Sequence, residues 1–419
     1  MKKNVKISGL RMAALVSGMV LMEAGPVWSL SSETAILLDL LKAKGVINET
    51  EAAEFARTLE TKAATVAPAD DDHYHSVQSL TDRVERLEGK GGGDPAGIVK
   101  KIELSGLVEV DLSTARAEEG DGHKSKSSDI TLATAQVNAE AAVNQYVSAH
   151  LALLYEEDPD DASNNDVTLD EAAIGLKGGE AWPAYANLGR MYVPFGNFAS
   201  HFISDPQTLI LGETNDTGVI AGYANDSMDL NVGAFRGKVK ETGKSDHTTC
   251  GVASAKFSWP KGGSENGLAM TGGVSYLSNL AASDVLEAGT TIPGEIDDVV
   301  GGGSAFLALA YADRYFFDAE YLGALDSFAA GDFSFVDDHH RRPQAWNVEA
   351  AARFADRLEF AVRYGGGIDA GVLLADEEYG AALLYGILDN TALTVEYLIQ
   401  ESQDGSNNSQ ATMQVAVEF

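Results

Sequence analysis

Two groups of ionisable side chains in this sequence are spaced so that they could act together on a passing solute. Arg190 and Tyr192 lie two residues apart in a segment of alternating character, and the alternation puts them on the same face as Glu171 of the preceding segment. A guanidinium there attracts carboxylate or phenolate oxygens and can hold a carboxylate through two parallel N–H bonds. Equally, Arg190 can pair with wall carboxylates and prop the chain that follows. Arg353 and Arg363 stand on neighbouring segments amid Glu349 and Glu359. Such a mixed ladder either sets a transverse field in an aqueous pore or makes cross-strand ion pairs that stiffen a wall. A third cluster, His339, His340, Arg341 and Arg342, follows two aspartates on a long connection. Its cations can meet an anionic ligand, bind lipopolysaccharide phosphates, or remain solvated.

Other chemistries find little support. Ser200 adjoins His201, but neighbours in sequence do not make a triad and no oriented acid accompanies them. Glycine-rich phosphate loops, paired-cysteine zinc sites and nucleophile elbows are missing, so neither catalysis nor a cofactor is expected. Asp70, Asp71, Asp72, His73 and His75 bring metal-ligating groups together. No second cluster at a fixed spacing completes a site, so they read as an acidic linker and no bound metal is expected. The single cysteine, Cys250, rules out an intrachain disulfide. A net charge of −33 argues against nucleic acid, whose phosphates it would repel.

The elements that would position these residues are strands. From Lys101 to Phe419, segments of about ten residues alternate apolar and polar side chains, as membrane-barrel strands do. In the last segment Ala411, Met413, Val415, Val417 and Phe419 share one face, while Thr412, Gln414 and Glu418 lie on the other. Sixteen segments begin near Lys101, Ser128, Gln145, Val167, Pro183, Thr217, Met228, Gly251, Gly267, Ser304, Arg314, Gln344, Arg357, Glu378, Asn390 and Gln410. Boundary shifts of a few residues would leave fourteen or eighteen possible. The connections alternate between short and long, the asymmetry of tight periplasmic turns and long extracellular loops. The sequence therefore predicts an all-β, sixteen-stranded antiparallel transmembrane barrel in a bacterial outer membrane, in contact with lipid and lipopolysaccharide. Inward parity includes Asp318, Glu320, Asn347 and Glu396; outward parity collects Tyr315, Phe317, Tyr321, Trp346, Phe354, Phe360, Tyr364, Tyr379, Tyr385 and Tyr397 as interfacial girdles.

Ahead of the barrel the pattern differs. Lys2, Lys3, Lys6 and Arg11 precede an apolar stretch from Met12 to Met22, with small residues before Leu30, so residues 1–29 read as a secretory signal. Residues 30–98 show helical spacing and end in acidic and glycine-rich linkers. Val77, Leu80, Val84 and Leu87 occupy a and d positions of about two heptads. A short coiled coil of this kind predicts a homotrimer, although a lone helix against the barrel would carry the same pattern. Residues 99–419 are assigned to the barrel.

Three stretches carry a family resemblance: Gly189-Arg190-Met191-Tyr192-Val193-Pro194-Phe195-Gly196, the segment from Ser204 to Thr214, and Leu37 to Ile47. Together they resemble the LbtU-type siderophore porin family over essentially the whole mature chain. The resemblance implies passage of a ferric siderophore across the outer membrane without an energy-coupling plug. It also implies that the third long connection, Pro194 to Asp216, folds inward and narrows the channel, which adds Asp205 and Glu213 to the constriction candidates Arg190, Tyr192, Glu171, Arg353, Arg363, Glu349 and Glu359. A plugged receptor would need about twenty-two strands and a globular plug, whereas the residues before this barrel read as helices. The alternatives are a general or dicarboxylate-type porin and a structural barrel tethering the envelope. Basic side chains converging at one constriction would favour the siderophore, and a uniformly acidic lumen a cation-preferring porin.

Overall fold

The computed structural model describes residues 101–157, 165–179, 182–244, 250–260, 267–335, 339–355, 357–402 and 404–419. The expected signal, helical and coiled-coil segments lie outside these residues. In chain order the elements are β1 (Lys101–Glu118), β2 (Lys124–Ala142), β3 (Val147–Tyr155), β4 (Thr168–Lys177), β5 (Ala184–Tyr192), α1 (Gln207–Gly212), β6 (Asn215–Asn225) and β7 (Met228–Phe235). There follow β8 (Lys240–Glu241), β9 (Cys250–Trp259), β10 (Leu268–Leu277), α2 (Asp284–Ala288), β11 (Glu295–Ile296), β12 (Gly302–Tyr311) and β13 (Tyr315–Ala324). The last are β14 (Gln344–Ala355), β15 (Leu358–Ile368), β16 (Glu377–Leu388), β17 (Thr391–Glu401) and β18 (Asn407–Glu418).

Sixteen of these strands form one closed antiparallel barrel in which β18 returns to pair with β1. The closing seam is pinned by reciprocal backbone hydrogen bonds between Gly106 and Phe419. Short β8 and β11 pair with each other in the loops, outside the barrel. Closure satisfies every strand edge, the condition for crossing a bilayer with strands.

The period-two pattern sorts as expected. Tyr315, Phe317, Tyr321, Phe354, Phe360, Tyr364, Tyr379, Tyr385 and Tyr397 are exposed on the outer face, and Trp346 packs edge-on against Tyr364 at 4.8 Å. On the same strands Asn347, Glu349, Glu359, Arg363, Glu378 and Glu396 are buried on the inner face. Apolar surface turned outward on so many strands belongs against lipid rather than water.

One boundary differs from expectation. The residues from Arg116 to Ser127 read as a long loop, but β1 and β2 run on as a hairpin until only 119–123 turn the chain. The ladder pairs Arg116 to Glu118 with Lys126 to Lys124, and Glu118 opposite Lys124 forms an ion pair of 2.8 Å at its tip.

Several long connections build an apolar core of their own. Leu277, Leu280, Leu286, Val300, Phe328, Phe333 and Phe335 cluster with Val193, Phe195 and Leu211 from the connection after β5. Phe333 meets Phe328 edge-on at 4.9 Å and stacks on Phe335 at 5.1 Å. At about 1.5–3 kcal/mol for each large side chain buried, this cluster fixes the roots of the β5–β6 connection.

Candidate functional site

The β5–β6 connection starts from a backbone that only glycine accommodates. Gly189 has φ +140°, and a Cβ there would stand 2.1 Å from the Ala172 carbonyl oxygen. Gly196 has φ +85°, and a Cβ there would meet the Phe198 ring at 2.4 Å. Gly189 lies within β5, three residues before its end, and Gly196 lies in the turn that follows the strand. From there the connection runs along the inner faces of β13 to β17.

A row of wall carboxylates receives its backbone. Glu320 of β13 accepts hydrogen bonds from the N–H groups of Asn197 and Phe198 at 2.6 and 2.9 Å. Glu349 of β14 accepts from His201 N–H at 2.7 Å. Glu396 of β17 accepts from Ile203 and Ser204 at 2.6 and 3.0 Å. Glu378 of β16 accepts from the Gln207 side chain at 2.6 Å. Bonds to an ionised acceptor are about twice as strong as neutral ones, so the set forms a continuous fastening.

Arg363 of β15 sits in the middle. Its guanidinium pairs with Glu349 at 2.9 Å and Glu378 at 3.2 Å, and all three side chains are 0% exposed. Its remaining N–H groups reach Ser200 Oγ and the Ser204 carbonyl. Its Cζ lies 4.3 Å from the centre of the Phe202 ring. His201 adds a second clasp: Nδ1 lies 2.8 Å from Glu359 and Nε2 3.3 Å from Asp318. Burial opposes the imidazolium, but these two carboxylates outweigh it and raise the pKa to about 9. At neutral pH His201 is therefore a cation held in the loop.

The remaining sequence candidates fall in separate places. Glu171 bonds His150 at 3.1 Å and accepts from Tyr192 N–H. Tyr192 donates its hydroxyl to Asp170 at 2.6 Å, and Arg190 donates its Nε to the Asp170 carbonyl. Glu213, at the end of α1, is pushed up to about 9 by burial and by the carboxylates of Asp205, Asp284 and Asp170, so it holds its proton at neutral pH. Asp205 offers its carbonyl to Arg363. Arg353 pairs with Glu359 at 2.9 Å and lies over Phe316 near the short β12–β13 turn. Arg341 pairs with Asp369 at 2.7 Å, and Arg342 gives its N–H to Asp369 and its Nε to the Ala324 carbonyl, tying two long connections together. His340 lies 3.1 Å from the Phe328 carbonyl, and His339 is exposed. Arg190, Arg353, Arg363, Arg341 and Arg342 thus do not converge on one place.

Sequence reasoning missed Glu378 and the clasp made by His201. Parity on β16 pointed to the first. Nothing local pointed to the second, because its acids lie more than a hundred residues away in the chain.

Comparison with known proteins places this architecture. Solved structures that resemble it include the outer-membrane channel DcaP of Acinetobacter baumannii, with TM-score 0.54, 15% identity, and 76% of this chain and 97% of that one covered. An anion-selective porin from Comamonas acidovorans aligns with TM-score 0.54, 12% identity, and 76% and 99% covered. The barrel is porin-like. No family model matches the chain. Among curated relatives, a UPF0422 protein of Coxiella burnetii is 27% identical over 314 residues, or 73% of this chain and 65% of that one. A UPF0422 protein of Legionella pneumophila strain Philadelphia 1 is 28% identical over 245 residues, 54% and 45% of the two chains. The chain thus spans less than two thirds of the length of these relatives, and their descriptions name no solute.

Proposed function

We propose that the chain forms a passive outer-membrane channel for small hydrophilic solutes, narrowed by the β5–β6 connection and favouring cationic or neutral over anionic ones. The observation that carries this reading is how the arginines are used. Arg363 is buried beneath the loop, Arg353 is paired near a short turn, and Arg341 and Arg342 hold long connections together. The wall carboxylates Glu349, Glu378 and Glu396 are taken up by the loop as well, so the preference rests on the excess of acidic side chains over the whole chain, a net charge of −33. Reversal potentials in a potassium chloride gradient across a planar bilayer test it. Cation selectivity is expected; anion selectivity would overturn the reading, and no conductance would favour a structural barrel.

A ferric siderophore is the finer solute we propose, on the strength of the resemblance to LbtU-type porins. An acidic chain narrows the choice to a neutral or cationic chelate. Saturable current block by a ferric trihydroxamate, without block by a ferric polycarboxylate, is the expected pattern. Block by the polycarboxylate alone would refute it. A homotrimer in contact with lipid and lipopolysaccharide is part of the same proposal, and the mass of the detergent-solubilised protein, measured by light scattering, tests it.

A further inference from the structure

Beside the fastened loop, on the wall it leaves uncovered, lies a cavity of about 260 Å³ bounded by residues 192–198 and by the inner faces of β7, β9, β10 and β12. That is below the roughly 300–1,000 Å³ of sites for drug-sized ligands, so it suits a smaller molecule. Its chemistry is divided. One side is apolar, with Phe198, Leu209 and the ring of Phe306, which lies over Gly273 where a side chain would otherwise stand. The other side carries charge and hydrogen-bonding groups. Lys256 of β9 stands directly opposite Asp229 of β7, yet the two make no ion pair, and Asp229 instead accepts a hydrogen bond from Tyr185 at 2.8 Å. One step along the same strands is Asn231, only 8% exposed, whose Oδ1 accepts no hydrogen bond among the described residues.

The Asp229 carboxylate lines the cavity and keeps acceptor capacity beyond its one bond from Tyr185. An ammonium group supplies donors for it and complements its charge. Lys256 offers three donors to a carboxylate. Phe198, Leu209 and Phe306 accommodate an apolar side chain. We propose that this cavity binds a small zwitterion carrying an ammonium, a carboxylate and an apolar side chain, the chemistry of a free hydrophobic amino acid. The cavity is walled by inner-facing strand residues, so the assignment rests on the channel reading, while binding itself is measured without flux.

The experiment is titration calorimetry of the folded, detergent-solubilised barrel with phenylalanine, phenethylamine and 3-phenylpropionate. Saturable binding of phenylalanine is expected, with each single-charge analogue at least tenfold weaker. Lys256→Met should weaken phenylalanine at least tenfold and leave phenethylamine unchanged, and Lys256→Arg should restore most of the loss. Gel mobility before and after heating confirms that each variant is folded. Absence of saturable binding, equal binding of the three compounds, or an unchanged Lys256→Met protein would each overturn the assignment. Conductance without binding would sink this site and spare the channel. Binding without conductance would do the reverse.

Discussion

At the residue scale, the decisive side chain is Arg363. Two buried carboxylates share its charge, and removing one partner of such a group costs more than the group contributes, on the order of 3–5 kcal/mol. Arg363→Ala should therefore lower the thermal midpoint of the barrel and expose the β5–β6 connection to protease. Arg363→Lys should recover only part of this, because an ammonium cannot make the forked contacts to Glu349 and Glu378. His201 and Glu213 give stability a pH dependence of known sign. The raised pKa of His201, about 9, contributes stability that is complete below its unfolded value near 6.5 and is lost as pH rises through 9. Glu213 binds its proton more tightly folded than unfolded, so its ionisation also destabilises the native state as pH rises from about 4.5 to 9. Melting from pH 6 to pH 10 should show falling midpoints. Glu213→Gln should flatten the fall in part and His201→Asn in another part, and a midpoint that rises with pH would contradict both assignments.

At the scale of elements, the middle of the β5–β6 connection is held by strand carboxylates together with Phe202, which packs among Ala351, Ala361, Ala382 and Leu398. Glu396 alone receives two backbone N–H groups, from Ile203 and Ser204. Glu396→Leu leaves both buried donors without their acceptor, at about 1–3 kcal/mol each. The expected result is a loop that detaches while the barrel stays folded: protease nicks within residues 197–206, and single-channel current grows noisier. An intact loop with wild-type noise would show that the apolar roots suffice. The same strand-borne acids explain why the connection lies along β13 to β17 and leaves the cavity beside β7 to β12 uncovered.

At the scale of the whole molecule, the outer surface commits the chain to a bilayer. Val232 lies mid-strand on β7 and is 62% exposed on the lipid-facing side. Val232→Arg should cost about 2–4 kcal/mol if it sits at the membrane midplane. Heat-modifiable gel mobility after folding into vesicles would read this as a smaller folded fraction, and an undiminished fraction would place that face against protein instead.

The sequence by itself determined the architecture: a side-chain period of two, repeated through sixteen segments with short and long connections in alternation, admits few folds besides a membrane barrel. It also determined which face of each strand meets lipid, because that parity is local to a strand. It marked Gly196 as part of a turn, though not the close contact with Phe198 that requires a glycine there. What only the tertiary structure decided is the use of the charges. Arg363 and Glu349 are near neighbours on adjacent strands and were legible as a pair, yet whether such a pair faces water or lies under a loop depends on a segment some 160 residues earlier in the chain. The path of that loop is set by contacts between distant strands, and a one-dimensional pattern of alternation carries no information about which wall a loop will choose.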